Sequence, residues 1–164
     1  GGLLLKQARE LGLKAVFTFG DGACTDKMKE LAGTAADGML WSQAGIPPQA
    51  ADRKFTAAYK KRFKADPILY APFTYDGANL LIEAMRKADS SDPKKYLPVL
   101  HKLSYMGATG RIEFDGKGDR KDAEMTIFSM NKGNLEPIAI IKSGKTIAYA
   151  DFIKGAGGAA KGKK

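Results

Sequence analysis

The first part of the chain alternates between stretches with helical and with strand-like spacing of apolar residues. Residues 3–11 place leucine and alanine at helical spacing, and Gly12 fits the end of that helix. The apolar run over residues 15–19 predicts a buried strand, and the helix after it ends at Gly33. Residues 39–42 predict a second strand. Helices and strands that alternate through short links are typical of a parallel sheet flanked by helices, an α/β fold.

Helical spacing dominates the middle of the chain. The Pro47–Pro48 pair breaks the earlier pattern, and we interpret it as a crossover between two lobes. Phe55, Tyr59 and Phe63 then recur every four residues and form an aromatic stripe on a lysine-rich helix. The strongest helix is predicted over residues 72–88. Its predicted buried side consists of Ala78, Leu81, Ile82 and Met85.

The apolar pattern changes to strand-like alternation after Gly107. Strands are predicted over residues 111–115, 125–130, 138–141 and 147–152. Residues 131–134 predict the hairpin turn between two of these strands. The glycine- and lysine-rich tail over residues 154–164 has no apolar pattern, so we expect it to be disordered.

The composition of the chain excludes few classes of function. The 164 residues are 44% hydrophobic and carry a formal charge of +9, to which the tail contributes four lysines and no acids. The single cysteine excludes an internal disulfide and a cysteine-based zinc cluster. Because the chain opens without methionine, partway through a helical pattern, we expect a processed or truncated product. The basic run over residues 60–62 fits a solvated helix face, so no nucleic-acid partner is expected.

Asp21 is the first candidate binding residue. It follows the strand predicted over residues 15–19 and stands between Gly20 and Gly22, at the strand end where open α/β sheets bind ligands. A carboxylate there suits a ligand ammonium, and the two glycines would let a small ligand or a sharp turn approach. The bland alternative is a turn aspartate that accepts local N–H groups. A dinucleotide fingerprint fails, because its third glycine would fall at Thr25.

Aromatic residues supply the next candidates. Tyr75, with Phe73, lies at the start of the long helix. The two rings would form the wall of an apolar pocket, in which the Tyr75 hydroxyl is the one polar group. Trp41, at the end of a predicted strand, offers the same possibility. Ordinary core packing is the alternative for each of these side chains.

Two further groups of residues are weak candidates for a catalytic or metal site. Cys24 lies near a helix start, but no pattern brings it to the sole histidine, His101, so a cysteine–histidine enzyme is not expected. Asp115, Asp119 and Asp122 loosely resemble a calcium loop. Their spacing departs from that loop and cations interrupt them, so we predict a polar hairpin and no metal.

Three segments in order resemble the periplasmic branched-chain amino-acid-binding proteins of ABC transporters. These are residues 20–38, which begin Gly-Asp-Gly-Ala-Cys-Thr-Asp, residues 70–81, with Tyr-Asp-Gly-Ala-Asn, and residues 107–119, with Gly-Ala-Thr-Gly-Arg-Ile-Glu-Phe-Asp. The resemblance implies a non-enzymatic, cofactor-free binding protein of two lobes, each a parallel sheet flanked by helices. Such a protein captures leucine, isoleucine, valine or a related amino acid in the periplasm and delivers it to a membrane permease.

The resemblance also implies roles for individual residues. An acid at the position of Asp21 binds the ammonium of the ligand, and an aromatic residue at the position of Tyr75 lines the pocket. Phe19 would shape the apolar pocket with Tyr75, and Gly22 would let the ligand approach the backbone. The rival interpretation is a nucleotide-using α/β enzyme with a phosphate at the Gly20–Gly22 loop, and a third is an interaction module that acts through the basic tail.

The resemblance covers the C-terminal half of the family pattern only. It assigns residues 1–41 to the C-terminal lobe, residues 42–112 to the N-terminal lobe, and residues 113–153 to crossover strands that return to the C-terminal lobe. Because each lobe is incomplete, we expect sheet edges and apolar helix faces to lack partners in this chain. The missing half of the parent protein or a second copy would complete each lobe, or the chain would form a smaller α/β unit of its own.

Overall fold

A computed structural model describes residues 1–23 and 25–159. These residues form two compact units. The first contains Gly1–Gly45 and the chain from Glu124 onward, and the second contains Ile46–Ala123. The helices and strands of the first unit are α1 (Gly2–Glu10), β1 (Thr18–Phe19), α2 (Asp26–Ala32), β2 (Leu40–Ala44), β5 (Glu124–Asn131), β6 (Asn134–Lys142), β7 (Lys145–Ala148) and α6 (Tyr149–Ala159). Those of the second are α3 (Arg53–Phe63), α4 (Ala71–Ala88), α5 (Pro93–Leu100), β3 (Tyr105–Gly107) and β4 (Gly110–Ile112).

The first unit is built on a five-stranded sheet in the order β1-β2-β5-β6-β7. Only β1 and β2 pair in parallel in the described sheet, and the other neighbours are antiparallel. The predicted α/β class is confirmed, whereas the sheet is mixed rather than parallel. The predicted hairpin accounts for one antiparallel pair, because Lys132 and Gly133, with positive φ angles of 48° and 74°, reverse the chain directly between β5 and β6.

One face of this sheet carries the core of the first unit. Trp41 pairs with Phe128 across β2 and β5, and both are buried. Ile140 on β6, which is fully buried, pairs with Thr126 on the same face. The opposite face, which includes Leu40, is only half-buried. The sheet of this unit therefore has one packed face and one partly open face.

Both ends of the first unit differ from the prediction. The strand expected over residues 15–19 is reduced to β1, and Val16 is 67% exposed, because β1 has a neighbour on one side only. Residues 149–152 are helical rather than extended, since apolar side chains at 149, 152 and 153 follow helical spacing. The tail expected to be disordered is likewise helical as far as Ala159, and its last residues, 160–164, lie outside the described part.

The second unit has a helical core with a two-stranded sheet. Leu80 and Ala84 of α4 pack with Leu103 and Ile112 in one buried cluster. Asp92 caps the start of α5, where its carboxylate accepts a hydrogen bond of 3.0 Å from the N–H of Lys94. No helix in the described part of the chain is long and apolar enough to cross a membrane.

Helix α4 buries a different face from the predicted one. Its buried residues recur every four positions and are Pro72, Asp76, Leu80 and Ala84. The predicted stripe is largely exposed, and Ile82 is 62% exposed. Both stripes are apolar, so periodicity alone did not separate them. The buried one is selected because α5 and β4 lie against it.

The two stripes can be tested with matched substitutions on neighbouring residues. Leu80→Ala removes a side chain that is 6% exposed, so we expect the free energy of unfolding to fall by about 2–4 kcal/mol. Leu81→Ala, at 39% exposure, is the control and is expected to cost less than about 1 kcal/mol. Urea unfolding followed by circular dichroism measures both. A larger loss for Leu81→Ala would show that the predicted face is the buried one.

Candidate functional site

The predicted ammonium-binding loop lies directly after β1 in the first unit. Phe19 ends the strand, and Asp21 begins a single 3₁₀ turn over Asp21–Ala23. The side chain of Asp21 is half-buried, and its Oδ1 accepts a hydrogen bond of 2.8 Å from the N–H of Gly22. The carboxylate thus takes part in the local turn, as the bland alternative expects.

A cleft of about 380 Å³ lies beside this loop, where β1 and β2 run in parallel. It is lined by Thr18, Phe19, Gly20, Leu40, Trp41, Ser42 and Ile127. Most of these residues belong to the partly open face of the sheet. Phe19 is half-buried and pairs with Trp41, which is 1% exposed and part of the core. The cleft therefore combines an apolar wall with the backbone that leads into Asp21.

The two glycines of the loop are not needed for a sharp turn. Neither Gly20 nor Gly22 is among the glycines with a positive φ. A Cβ built on either one would meet no described atom within 4 Å. The open space that would let a small ligand come close to the backbone is therefore present at both glycines.

Gln43 was missed by the sequence analysis. It is 1% exposed, and neither its amide oxygen nor its amide nitrogen has a hydrogen-bond partner among the described residues. It lies on the same face of β2 as Trp41, two positions further along. The sequence signal for such a residue is a glutamine inside an apolar strand pattern.

Tyr75 belongs to the second unit, where it borders another cleft. The side chain is 52% exposed, and its ring centroid lies 5.0 Å from that of Phe55 on α3. The cleft measures about 550 Å³ and is also lined by Tyr59, Phe63 and Tyr105. Tyr75 is thus a wall residue of an aromatic cleft rather than part of the core.

Asp76, next to Tyr75, fixes one edge of that cleft. Its carboxylate is 1% exposed and accepts hydrogen bonds from the N–H of Ala108 at 2.7 Å, and from the N–H and hydroxyl of Thr109 at 2.8 and 2.7 Å. We call these three bonds the Asp76 clasp. It joins α4 to the turn between β3 and β4. Its signal in the sequence is a polar residue at a buried position of the α4 stripe.

Two neighbours complete the Asp76 clasp. Arg120 donates to the hydroxyl of Thr109 at 3.2 Å and to its carbonyl at 3.0 Å, so the hydroxyl links a cation to the carboxylate. A Cβ at Gly107 would lie 2.5 Å from both carboxylate oxygens of Asp76. Glycine is therefore required at position 107 by close approach.

The remaining candidate residues have structural roles or lie outside the described residues. Cys24 lies outside the described residues. His101 is exposed at the end of α5, with its ring 6.4 Å from that of Phe114. Asp115 accepts hydrogen bonds from the N–H groups of Lys117 and Asp119 at 2.8 and 3.0 Å, which closes a polar turn. Among the described residues no group of three or more acids, histidines or cysteines is placed to hold a metal ion.

Comparison with known proteins gives a consistent result. The profile of the family described as periplasmic binding protein matches residues 2–134. A leucine-, isoleucine-, valine-, threonine- and alanine-binding protein of Pseudomonas aeruginosa is 32% identical over 136 residues, which make up 80% of this chain and 35% of that protein. A Leu/Ile/Val-binding protein homolog of Brucella abortus is 31% identical over 80% of this chain and 36% of its own length.

Solved structures agree with these matches. A leucine-binding protein from Thermotoga maritima has a TM-score of 0.75 at 28% identity, covering 87% of this chain and 41% of that one. A branched-chain amino acid transporter substrate-binding protein from Streptococcus pneumoniae, solved with isoleucine, has a TM-score of 0.67 at 20% identity and supports the fold alone. The chain spans about a third of the length of the curated relatives that it matches.

The bridging hydroxyl of the Asp76 clasp can be tested at Thr109. Thr109→Val removes the hydroxyl between Asp76 and Arg120, and we expect the free energy of unfolding to fall by about 1–3 kcal/mol, because a buried carboxylate loses a donor. Thr109→Ser keeps the hydroxyl and is the control. Equal losses for the two variants, measured by urea unfolding, would show that the hydroxyl carries no stability.

The turn at Asp115 predicts a pH effect. Hydrogen bonds from the N–H groups of Lys117 and Asp119 lower the pKa of the Asp115 carboxyl. A lowered pKa in the folded state gives stability that is present above the unfolded pKa of about 3.9 and is lost as the pH falls through the folded pKa. Titration by carbon-detected NMR should place the pKa below that of a free aspartate. A value at or above about 3.9 would contradict these hydrogen bonds.

Proposed function

Because the chain belongs to the periplasmic binding protein family, which consists of solute-binding proteins and not of enzymes, we propose that it is part of an amino-acid carrier. The complete protein would capture a branched-chain or related amino acid in the periplasm and deliver it to the permease of an ABC transporter. The observation that carries the proposal is the loop after β1. There the half-buried carboxylate of Asp21 comes directly after Phe19 and Gly20, which line the cleft. Relatives at about 30% identity that carry leucine, isoleucine and valine in their names support it.

Asp21 would bind the ammonium group of the amino acid. The hydrogen bond from Gly22 orients one carboxylate oxygen, Oδ1, and an ammonium group would donate to the carboxylate beside it. Phe19 and the neighbouring cleft would receive apolar atoms, and the open space at Gly22 would admit the ligand backbone. The ammonium group and the apolar side chain of an amino acid thus each have a chemically matched surface in this arrangement.

Tyr75 would supply an aromatic wall from the other lobe. In this proposal residues 1–41 and 113–153 are parts of the C-terminal lobe, and residues 42–112 are part of the N-terminal lobe. The structure divides the chain after Gly45 and again before Glu124. We treat these two units as the portions of each lobe that this chain contributes.

The exposed apolar surfaces indicate that further chain completes each lobe. Helix α4 carries a second apolar stripe beside its buried one, and Ile82 on it is 62% exposed. In the first unit Leu3 and Leu4 are 61% and 59% exposed, and β1 is a sheet edge. Exposed apolar surface of this kind is typical of an interface. The N-terminal part of the parent protein would cover these surfaces, and a second copy is the alternative occupant.

The proposed ammonium contact can be tested at Asp21 in the complete protein that carries this chain. Asp21→Asn should weaken L-leucine binding by more than about 1.5 kcal/mol, roughly tenfold, because the ammonium loses a charged acceptor. Isothermal titration calorimetry measures the change. Glu10→Gln, an exposed acid on α1, is the control and should leave the affinity unchanged. Unchanged affinity in Asp21→Asn would remove Asp21 from the site, and binding of NAD or ATP instead of leucine would favour the rival enzyme.

A further inference from the structure

The aromatic cleft of the second unit has features that amino-acid capture does not use. Its floor is the stripe of α3, in which the ring centroids of Phe55 and Tyr59 are 5.8 Å apart, and those of Tyr59 and Phe63 are 4.6 Å apart. The rings are tilted by 49° and 48° to one another. Phe63 is 61% exposed, so the floor is open to solvent. A planar apolar ligand would find edges and faces of rings at contact distance.

Cations lie around this floor. Lys54 and Arg62, both exposed, line the cleft, and no ion pair within the described part of the chain includes either of them. The acid in the lining is Asp52, whose carboxylate accepts hydrogen bonds from the N–H groups of Lys54 and Phe55 at the start of α3. Counting Lys54, Arg62 and Asp52, the formal charge of the lining is one positive unit. That charge suits a monoanion.

Phenol hydroxyls add neutral donors to the cleft. Tyr59, Tyr75 and Tyr105 all line it. Burial, and next the nearby carboxylate of Asp76, raise the pKa of Tyr105 above its ordinary value. The Asp76 clasp fixes Ala108, which forms the opposite edge. The cleft thus pairs aromatic surface with groups that donate to an anion.

We propose that this cleft binds a small aromatic monoanion, such as an arylalkanoate, on the rings of α3 with its carboxylate toward the cations of the lining, Lys54 and Arg62. The aromatic rings would hold the ring of the ligand, and the cations and phenols would hold its carboxylate. An aromatic amino acid fits less well, because the same two cations repel its ammonium group. The site lies wholly within the second unit and does not involve Asp21, although it shares Tyr75 with the proposed capture of leucine.

Calorimetric titration of the 164-residue chain with three probes tests the proposal. 3-Phenylpropionate is expected to bind with a Kd below about 1 mM. The neutral 3-phenylpropan-1-ol and the zwitterion L-phenylalanine should each bind about fivefold more weakly or worse, since they lack the anion or add a repelled ammonium. Lys54→Gln combined with Arg62→Gln should abolish the preference for the acid. Lys61→Gln, on the same helix but outside the lining, is the matched control and should keep it.

Several outcomes would overturn the proposal. One is the absence of saturable binding, and another is equal affinity for acid and alcohol. A preference that survives in the double variant, or that Lys61→Gln also removes, would place the anion elsewhere. Displacement of 3-phenylpropionate by excess L-leucine would show that the two ligands share one site. Loss of binding on self-association, seen by sedimentation, would assign the cleft to a second copy of the chain.

Discussion

The pairing of β2 with β5 is the contact on which the first unit depends. It joins Leu40–Ala44 to a strand that begins at Glu124, and the hydroxyl of Thr126 adds a hydrogen bond of 2.6 Å to the carbonyl of Gly45 across 81 positions of sequence. Without this pairing β1 and β2 would be an isolated parallel pair of five residues or fewer. Such a pair is not stable in water by itself. The loop that carries Asp21 therefore depends for its position on a strand, β5, that follows the whole second unit in the sequence.

The second unit depends on a comparable long-range contact of a polar kind. The Asp76 clasp joins residues 32 and 33 positions apart and leaves the carboxylate with three donors in a buried setting. A buried carboxylate is favourable only when it is well satisfied, and Arg120 adds a cation through Thr109. The same turn forms an edge of the aromatic cleft beside Tyr75. Stability and the shape of the cleft therefore rest on one small group of hydrogen bonds.

Local signals in the sequence predicted local structure well. The Lys132–Gly133 hairpin and the aromatic stripe of α3 each depend on residues close in sequence. The buried face of α4 and the reduction of β1 could not be predicted in this way, because each depends on which neighbours are present. Asp76 was missed because a carboxylate looks exposed until its three donors are known. Of the candidate site, the place of Asp21 after a strand was predictable, whereas its bond to Gly22 required coordinates.

The proposed function depends on one electrostatic contact, between the carboxylate of Asp21 and a ligand ammonium. A crystal structure of the complete protein with L-leucine would test this contact. We expect an ammonium nitrogen about 3 Å from a carboxylate oxygen of Asp21, with the isobutyl group toward Phe19. A complex in which Asp21 contacts only its own turn, and the ammonium group has other partners, would contradict it.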